Sequence, residues 1–278
     1  MLNISRCECA QFKELMKPIK MNTYLPHAGC MSKKIGALLI MASLSLFVLS
    51  TSTVVFAQKS YSKKFPARGN ITITLNNWSG AITVEGWDKN LIEIKADMEA
   101  PTAHVTPRVD ENGMVIDVVR ENQGRGDIGS VNFKISVPFD SSVDIETRIG
   151  DLSVNNVRGA TVRAHVTAEG NISLTQITSQ NVMAHNISGD ILFDGALLPQ
   201  GVYTFKSMEG NINIRIPENS AFQLVAIAPR GGEITLGPFA GSGLNYIRDK
   251  RRVYGNVGAA NATLSVTNQG GSIHFMRR

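Results

Sequence analysis

A glycine followed by apolar residues at the second and fourth positions after it recurs along this chain, and the spacing of the copies leaves few folds open. The copies are Gly69-Asn-Ile-Thr-Ile, Gly80-Ala-Ile-Thr-Val, Gly150-Asp-Leu-Ser-Val, Gly170-Asn-Ile-Ser-Leu, Gly189-Asp-Ile-Leu-Phe, Gly210-Asn-Ile-Asn-Ile, Gly232-Glu-Ile-Thr-Leu and Gly271-Ser-Ile-His-Phe. From Gly150 to Gly232 they are separated by 20, 19, 21 and 22 residues, and Gly271 follows 39 later, about two periods. A fixed period of this length marks a repeat architecture, in which each unit buries its apolar face only by stacking on its neighbours.

Between successive glycines there is room for two short strands and two corners. Ahead of the glycines the chain alternates, as in Val143-x-Ile145-x-Thr147, Val182-x-Ala184-x-Asn186, Tyr203-x-Phe205-x-Ser207, Phe222-x-Leu224-x-Ala226 and Leu264-x-Val266-x-Asn268. Period two means strands with one buried face. The coil before Gly170 fits only with one extra residue after Val166, which predicts a bulge. Glycine suits a corner that needs positive φ or close packing between coils, and the polar residues after it (Asp151, Asn171, Asp190, Asn211, Glu233) suit exposed corners.

The expected fold is therefore all-β: a β-solenoid of about 20 residues per coil over 141–278, in six or seven coils, behind a β-rich N-terminal cap over 58–140. An aromatic content of 6% agrees, because a thin solenoid accepts stacked aliphatic residues better than large rings. In the cap, Ile71–Leu75, Ala81–Glu85, Leu91–Met98, Met114–Arg120 and Asn132–Val137 read as strands, Asp110-Glu-Asn-Gly113 as a hairpin turn and Gly124–Gly129 as a loop. The last coil, Ser272–Phe275, is expected at an open end, covered only by Met276-Arg277-Arg278, where chains could pair edge to edge.

The first 57 residues read differently. Lys33-Lys34 precede an unbroken apolar run from Ile35 to Leu49, and in Val55-Phe56-Ala57 small or compact residues stand three and one before a cut ahead of Gln58, the plan of an export signal over 31–57. Cleavage ahead of Gln58 is expected, with an uncleaved membrane anchor as the alternative. Residues 1–30 are a doubtful leader, expected from a misplaced start. Cys7-x-Cys9 with His27-x-x-Cys30 lacks the paired spacing of a zinc site. All three cysteines lie here, and removing this stretch leaves 22 of the 28 basic and 21 of the 23 acidic side chains, a nearly neutral body. Nucleic acid is accordingly not an expected partner.

Trp78-Ser-Gly80-Ala-Ile-Thr-Val-Glu-Gly-Trp87, the strand ending Val137-Pro138, and the recurring Thr-x-x-Gly-Asp/Asn-Ile pattern together resemble the bacterial adhesin-like family catalogued as domain of unknown function 4097. The resemblance covers about Phe65 to Phe275. It implies an exported or membrane-tethered β-solenoid and supplies no catalytic residue.

A search for chemistry yields a short set of candidates. Asp190 and Asp194 bracket one strand at even spacing and could form a carboxylate pair, although Asp190 is also a corner residue and Asp194-Gly195 a turn. His165 and His185 are 20 residues apart, each after an alanine, and should project outward on neighbouring coils, with Lys206 and Glu146 continuing the column. Such a stripe could bind a metal or an acidic glycan. Trp78 and Trp87 could stack sugars or fill the cap interface. Arg248-Asp-Lys-Arg-Arg252 and Arg277-Arg278 could touch phosphate-rich polymers or lipid headgroups, and the sequons at Asn77, Asn171, Asn186 and Asn261 reflect a repeat rich in Asn, Ser and Thr. Nucleophile, phosphate-loop and metal-protease motifs are missing from the sequence, so no catalytic residue, metal or cofactor is expected.

The functional expectation is a non-enzymatic, extracytoplasmic module of the cell envelope, periplasmic, surface-bound or secreted. Its partner would be a surface polymer or an envelope protein, with membrane contact only if the N-terminal segment is retained. A polysaccharide-active β-helix enzyme and a membrane-anchored envelope-stress component are the alternatives.

Overall fold

The computed structural model describes residues 59–67, 70–99, 103–109, 113–120, 129–247 and 249–278. The leader, the export segment, the Cys7–Cys30 cluster, the turn residues 110–112, the loop residues 124–128 and Arg248 lie outside the described residues. Phe56–Arg278 forms a compact unit by itself.

The strands begin with β1 (Lys59–Pro66), β2 (Thr72–Ser79), β3 (Ile82–Trp87), β4 (Leu91–Met98), β5 (Ala103–Val109), β6 (Gly113–Arg120) and β7 (Val131–Pro138). They continue with β8 (Ser142–Ile149), β9 (Leu152–Asn155), β10 (Thr161–Glu169), β11 (Ile172–Ile177), β12 (Asn181–Ser188), β13 (Ile191–Gly195), β14 (Val202–Glu209) and β15 (Ile212–Ile216). The last are β16 (Phe222–Ile227), β17 (Ile234–Thr235), β18 (Leu244–Ile247), β19 (Arg252–Val257), β20 (Ala262–Asn268) and β21 (Ile273–Arg277). All 21 strands of the described residues fall into two sheets, one of ten and one of eleven, and the expected β-solenoid is the fold found.

Each glycine-marked coil contributes one strand to each sheet and turns between them at its glycine. In the eleven-stranded sheet, Val143, Val162, Val182, Tyr203 and Leu264 stand opposite one another in parallel register. In the ten-stranded sheet the corresponding column is Leu152, Ile172, Ile191, Ile212 and Ile273. Both columns are buried and face each other across the core. Burying one such aliphatic side chain contributes about 1.5–3 kcal/mol. The alternation read before each glycine thus became the inner face, and the bulge expected before Gly170 sits between Val166 and Glu169, against both neighbouring strands.

The corner glycines meet two constraints at once. Gly80, Gly150, Gly170, Gly189 and Gly210 have φ between +106° and +149°, a region that side-chain-bearing residues rarely enter. A Cβ on Gly189 would lie 2.3 Å from the carbonyl oxygen of Gly170, and one on Gly210 would lie 2.2 Å from that of Gly189. The polar residue after each glycine then ties the coils together. Asp151 Oδ1 accepts the backbone N–H of Asn171 at 2.8 Å, Asn171 Oδ1 that of Asp190 at 2.9 Å, Asp190 Oδ1 that of Asn211 at 2.7 Å and Asn211 Oδ1 that of Ser272 at 3.1 Å. Inside the corner, buried amides do the converse: Asn186 Nδ2 donates to Gly170 O at 2.7 Å and Asn268 Nδ2 to Gly210 O at 2.8 Å.

Two expectations about order are corrected. The sheets run without a break past residue 140: β2 and β3 pair in parallel with β8 and β9, so Thr72–Trp87, read as cap, is a coil like those that follow. Outside it, β6 pairs in parallel with β2 and β7 with β3, a further coil whose two strands flank residues 121–128. Antiparallel β5 then closes one sheet edge, and antiparallel β4 and β1 close the other. The expected hairpin around Asp110–Gly113 is the β5–β6 pair. Lys63 and Pro66 on β1 and Pro107 on β5 are poor partners for another edge strand.

At the opposite end, the last coil in sequence is not the last in space. β20 lies between β14 and β16, and β21 between β15 and β17, so Ser272–Phe275 is enclosed and not at an open end. The outermost coil is β16–β17, sealed by antiparallel β19 and β18 on one sheet. On the other sheet a 3-10 turn, Gly237–Phe239, inserts the buried Phe239 ring edge-on against Phe222 at 5.3 Å and Phe275 at 6.4 Å. Among the described residues no helix is long and apolar enough to cross a membrane.

The corner geometry predicts a contrast between two glycines. Gly189→Ala combines backbone strain with overpacking and should destabilise by about 2–5 kcal/mol. At Gly231 the φ is not positive and an added methyl group would meet nothing within 4 Å, so Gly231→Ala should stay within about 0.5 kcal/mol of the parent in urea denaturation.

Candidate functional site

Strand alternation that sends Val143, Val162, Val182 and Tyr203 inward sends the residues between them outward, and parallel register lines these up across coils. Glu146, His165, His185 and Lys206 stand opposite one another in that order, as the 20-residue spacing predicted. The bulge falls after Val166, so it does not displace His165 from the column.

The two imidazoles stack in parallel, with ring centroids 4.9 Å apart and planes 1° from parallel. His165 Nδ1 lies 3.2 Å from Glu146 Oε2. One column over, Arg163 Nη1 donates to both oxygens of Asp144 at 3.0 and 3.2 Å, and its Nη2 is 3.9 Å from Glu146. Sequence reading missed the Asp144–Arg163 pair, although the same two-residue step back from Glu146 and His165 locates both. Lys206 is exposed and His185 half-buried. Burial first, then the charges of His165, Lys206 and Arg163, hold the His185 imidazole below its ordinary range.

Toward the N-terminal coils the column continues through Asn76 and Asp117. Here an open groove of about 430 Å³ is lined by Asn76, Trp78, Asp117, Glu146, Arg148 and Thr167 among others. The Arg148 guanidinium lies over the Trp78 ring, 4.9 Å from its centroid, and Asp117 is ion-paired with Arg108. Trp78 is 37% exposed and so does not fill an interior interface. Trp87 donates its indole N–H to Leu91 O at 2.8 Å and carries the Lys89 ammonium over its ring at 4.8 Å. The groove could not be found from sequence, because nothing in the chain's order places Asp117 beside Asn76.

The other candidates are engaged elsewhere. Asp190 belongs to the corner ladder, while Asp194 meets Arg278 Nε at 3.0 Å and Arg215 Nη1 at 3.4 Å, so the two carboxylates have separate partners. Arg277 pairs with Glu218 at 3.5 Å. Asn77 and Asn186 are buried, which removes these two sequons from solvent. Among the described residues no group of three His, Cys, Asp or Glu side chains could hold a metal ion.

The depressed His185 gives a signed expectation. Its NMR titration midpoint should fall below the usual imidazole value near 6.5, and Lys206→Ala should restore part of the difference, with burial keeping the rest. The unfolded chain takes up this proton more readily, so acidification through the window just below 6.5 lowers stability, and His185→Gln should flatten that loss in denaturation measured between pH 7 and roughly pH 5.

A comparison with the curated proteins finds no match. Among solved structures, a Clostridium sporogenes protein named for cell adhesion aligns at a TM-score of 0.46 and 11% identity, over 80% of this chain and 100% of its own. A Bacteroides fragilis protein named as an adhesin aligns at 0.34 and 11%, over 80% and 99%. A Parabacteroides distasonis protein named as lipid-binding aligns at 0.33 and 12%, over 78% and 97%. Residues 38–275 match the family model described as Toastrack DUF4097, and the chain belongs to that family.

Proposed function

We propose that the protein is an exported, non-catalytic module of the cell envelope that binds an extended surface polymer along the outer face of its eleven-stranded sheet. The observation that carries this reading is the continuous column from Asp117 and Asn76 through Glu146, His165 and His185 to Lys206, in register over six strands and opening on the Trp78–Arg148 groove. Parallel stacking sets its rungs about 4.8 Å apart. That pitch suits a linear ligand contacted at several points, and an open groove suits a chain with no free end to insert. Carboxylates and the Asn76 amide accept hydroxyl protons, whereas Lys206 pairs with carboxylate or sulfate groups and the imidazole N–H groups donate to them. Non-catalytic action is supported by the separate engagement of Asp190 and Asp194.

Export is expected to expose the module to such polymers, and the cysteine-free body suits that compartment. A glycan array with acidic and neutral polysaccharides tests the reading. The His165→Ala/His185→Ala variant should bind an acidic polymer about tenfold more weakly than the parent, with its melting temperature little changed. Turnover of any arrayed polymer that disappears in Asp190→Ala or Asp194→Ala would replace binding with catalysis. Unaltered affinity in the double variant would remove the column from the site.

A further inference from the structure

The β18–β19 hairpin that seals the outermost coil has a tip whose chemistry the polymer-binding strip does not use. Between Ile247 and Arg252, Asp249 and Lys250 have φ of 52° and 61°, so a lysine holds a left-handed turn position where glycine would be unstrained. The tip is fixed to the body: Ala228 N–H donates to Arg251 O at 2.8 Å, Ile234 N–H to Lys250 O at 3.2 Å and Tyr246 Oη to Ile234 O at 3.2 Å. These bonds bring the turn carrying Arg230 alongside. Lys250, Arg252 and Arg230 are exposed and Arg251 half-buried, and none of the four is in an ion pair among the described residues. Asp249 and Glu233 are the nearby acids.

An apolar surface adjoins these bases. Arg252 and Tyr254 share one face of β19, with Ile247 opposite Arg252 and Val225 opposite Tyr254. Ile247, Val225 and Tyr254 are 43%, 47% and 49% exposed. Tyr254 lies two residues on from Arg252, about 7 Å along the same exposed face, so a bilayer lying flat against that face meets the base and the ring together. Bases set beside exposed aliphatic and phenolic side chains on one face complement anionic headgroups and the interfacial layer between them. A second copy on the same face would instead set four bases against four, with few acids to offset them.

We propose that this hairpin docks the protein on an anionic lipid bilayer, with Lys250, Arg251, Arg252 and Arg230 on headgroup phosphates and Ile247, Tyr254 and Val225 in the interfacial layer. Docking of this kind needs no retained N-terminal segment and is separate from the polymer strip, so either can fail alone.

Sedimentation of Phe56–Arg278, which holds the whole described core, with lipid vesicles tests this directly. Vesicles of phosphatidylglycerol and phosphatidylethanolamine should bind the protein, those of phosphatidylcholine should not, and salt should weaken binding steeply. Lys250→Gln/Arg251→Gln/Arg252→Gln should lose about 100-fold in affinity. Ile247→Ser/Tyr254→Ser should lose about tenfold, with melting temperatures unchanged for these surface positions. Equal binding to phosphatidylcholine, or no binding to either vesicle, overturns the proposal. So does release by millimolar inorganic phosphate with no effect of the apolar variant, which would make the tip a soluble-phosphate site. Self-association abolished by Ile247→Lys would make it a contact between copies and overturn it equally.

Discussion

The approach of each corner glycine to a backbone carbonyl of the neighbouring coil, from Gly150 onward that of the neighbouring coil's own glycine, is the contact on which the rest of the structure depends. A methyl group at Gly170 would sit 2.1 Å from Gly150 O, and one at Gly271 would sit 2.0 Å from Gly210 O. Only a residue without Cβ lets the coils close to strand spacing at the corner, and at Gly80, Gly150, Gly170, Gly189 and Gly210 the chain also takes positive φ. Once that distance is set, parallel hydrogen bonding locks the register, and register makes every side chain a member of a column. The inner columns become the core, the Asp/Asn column becomes a hydrogen-bonded seam, and the outer column becomes the candidate site.

The ends of the stack face the opposite problem, since stacking that stabilises the middle leaves unpaired strand edges. The chain deals with both ends in the same way. It runs out one coil, to β6–β7 at one end and β16–β17 at the other, and returns inside it before or after the regular series. Antiparallel strands then close the outer edges, with charged or proline-bearing β1 and β5 at one end and the β18–β19 hairpin, with Phe239 as a plug, at the other. The basic, partly apolar hairpin tip is thus a by-product of sealing an edge, and the same feature gives it a surface that no other strand covers.

Much of the site was legible because solenoid geometry converts sequence distance into spatial neighbourhood. His165 and His185, one period apart, had to meet once the strands were placed, and their stacked rings follow. Asp144 and Arg163 obey the same rule. The groove was not legible, because Asp117 and Trp78 come from coils separated by an out-of-order excursion. Nor could the sequence show that Asp194 is held by Arg278, a contact made only because the C-terminal strand inserts beside β15.

Taken alone, the sequence determined the period, the buried face of each strand, the bulge after Val166 and the glycine corners, since all of these are local consequences of backbone sterics and alternation. Tertiary structure alone decided the order in which coils stack. Nearly identical apolar faces pair equally well with any neighbour, so the repeat pattern carries no information about which coil lies outermost. That choice rests on loop lengths, on the fit of Phe239 between Phe222 and Phe275, and on which edges can be closed by an antiparallel strand.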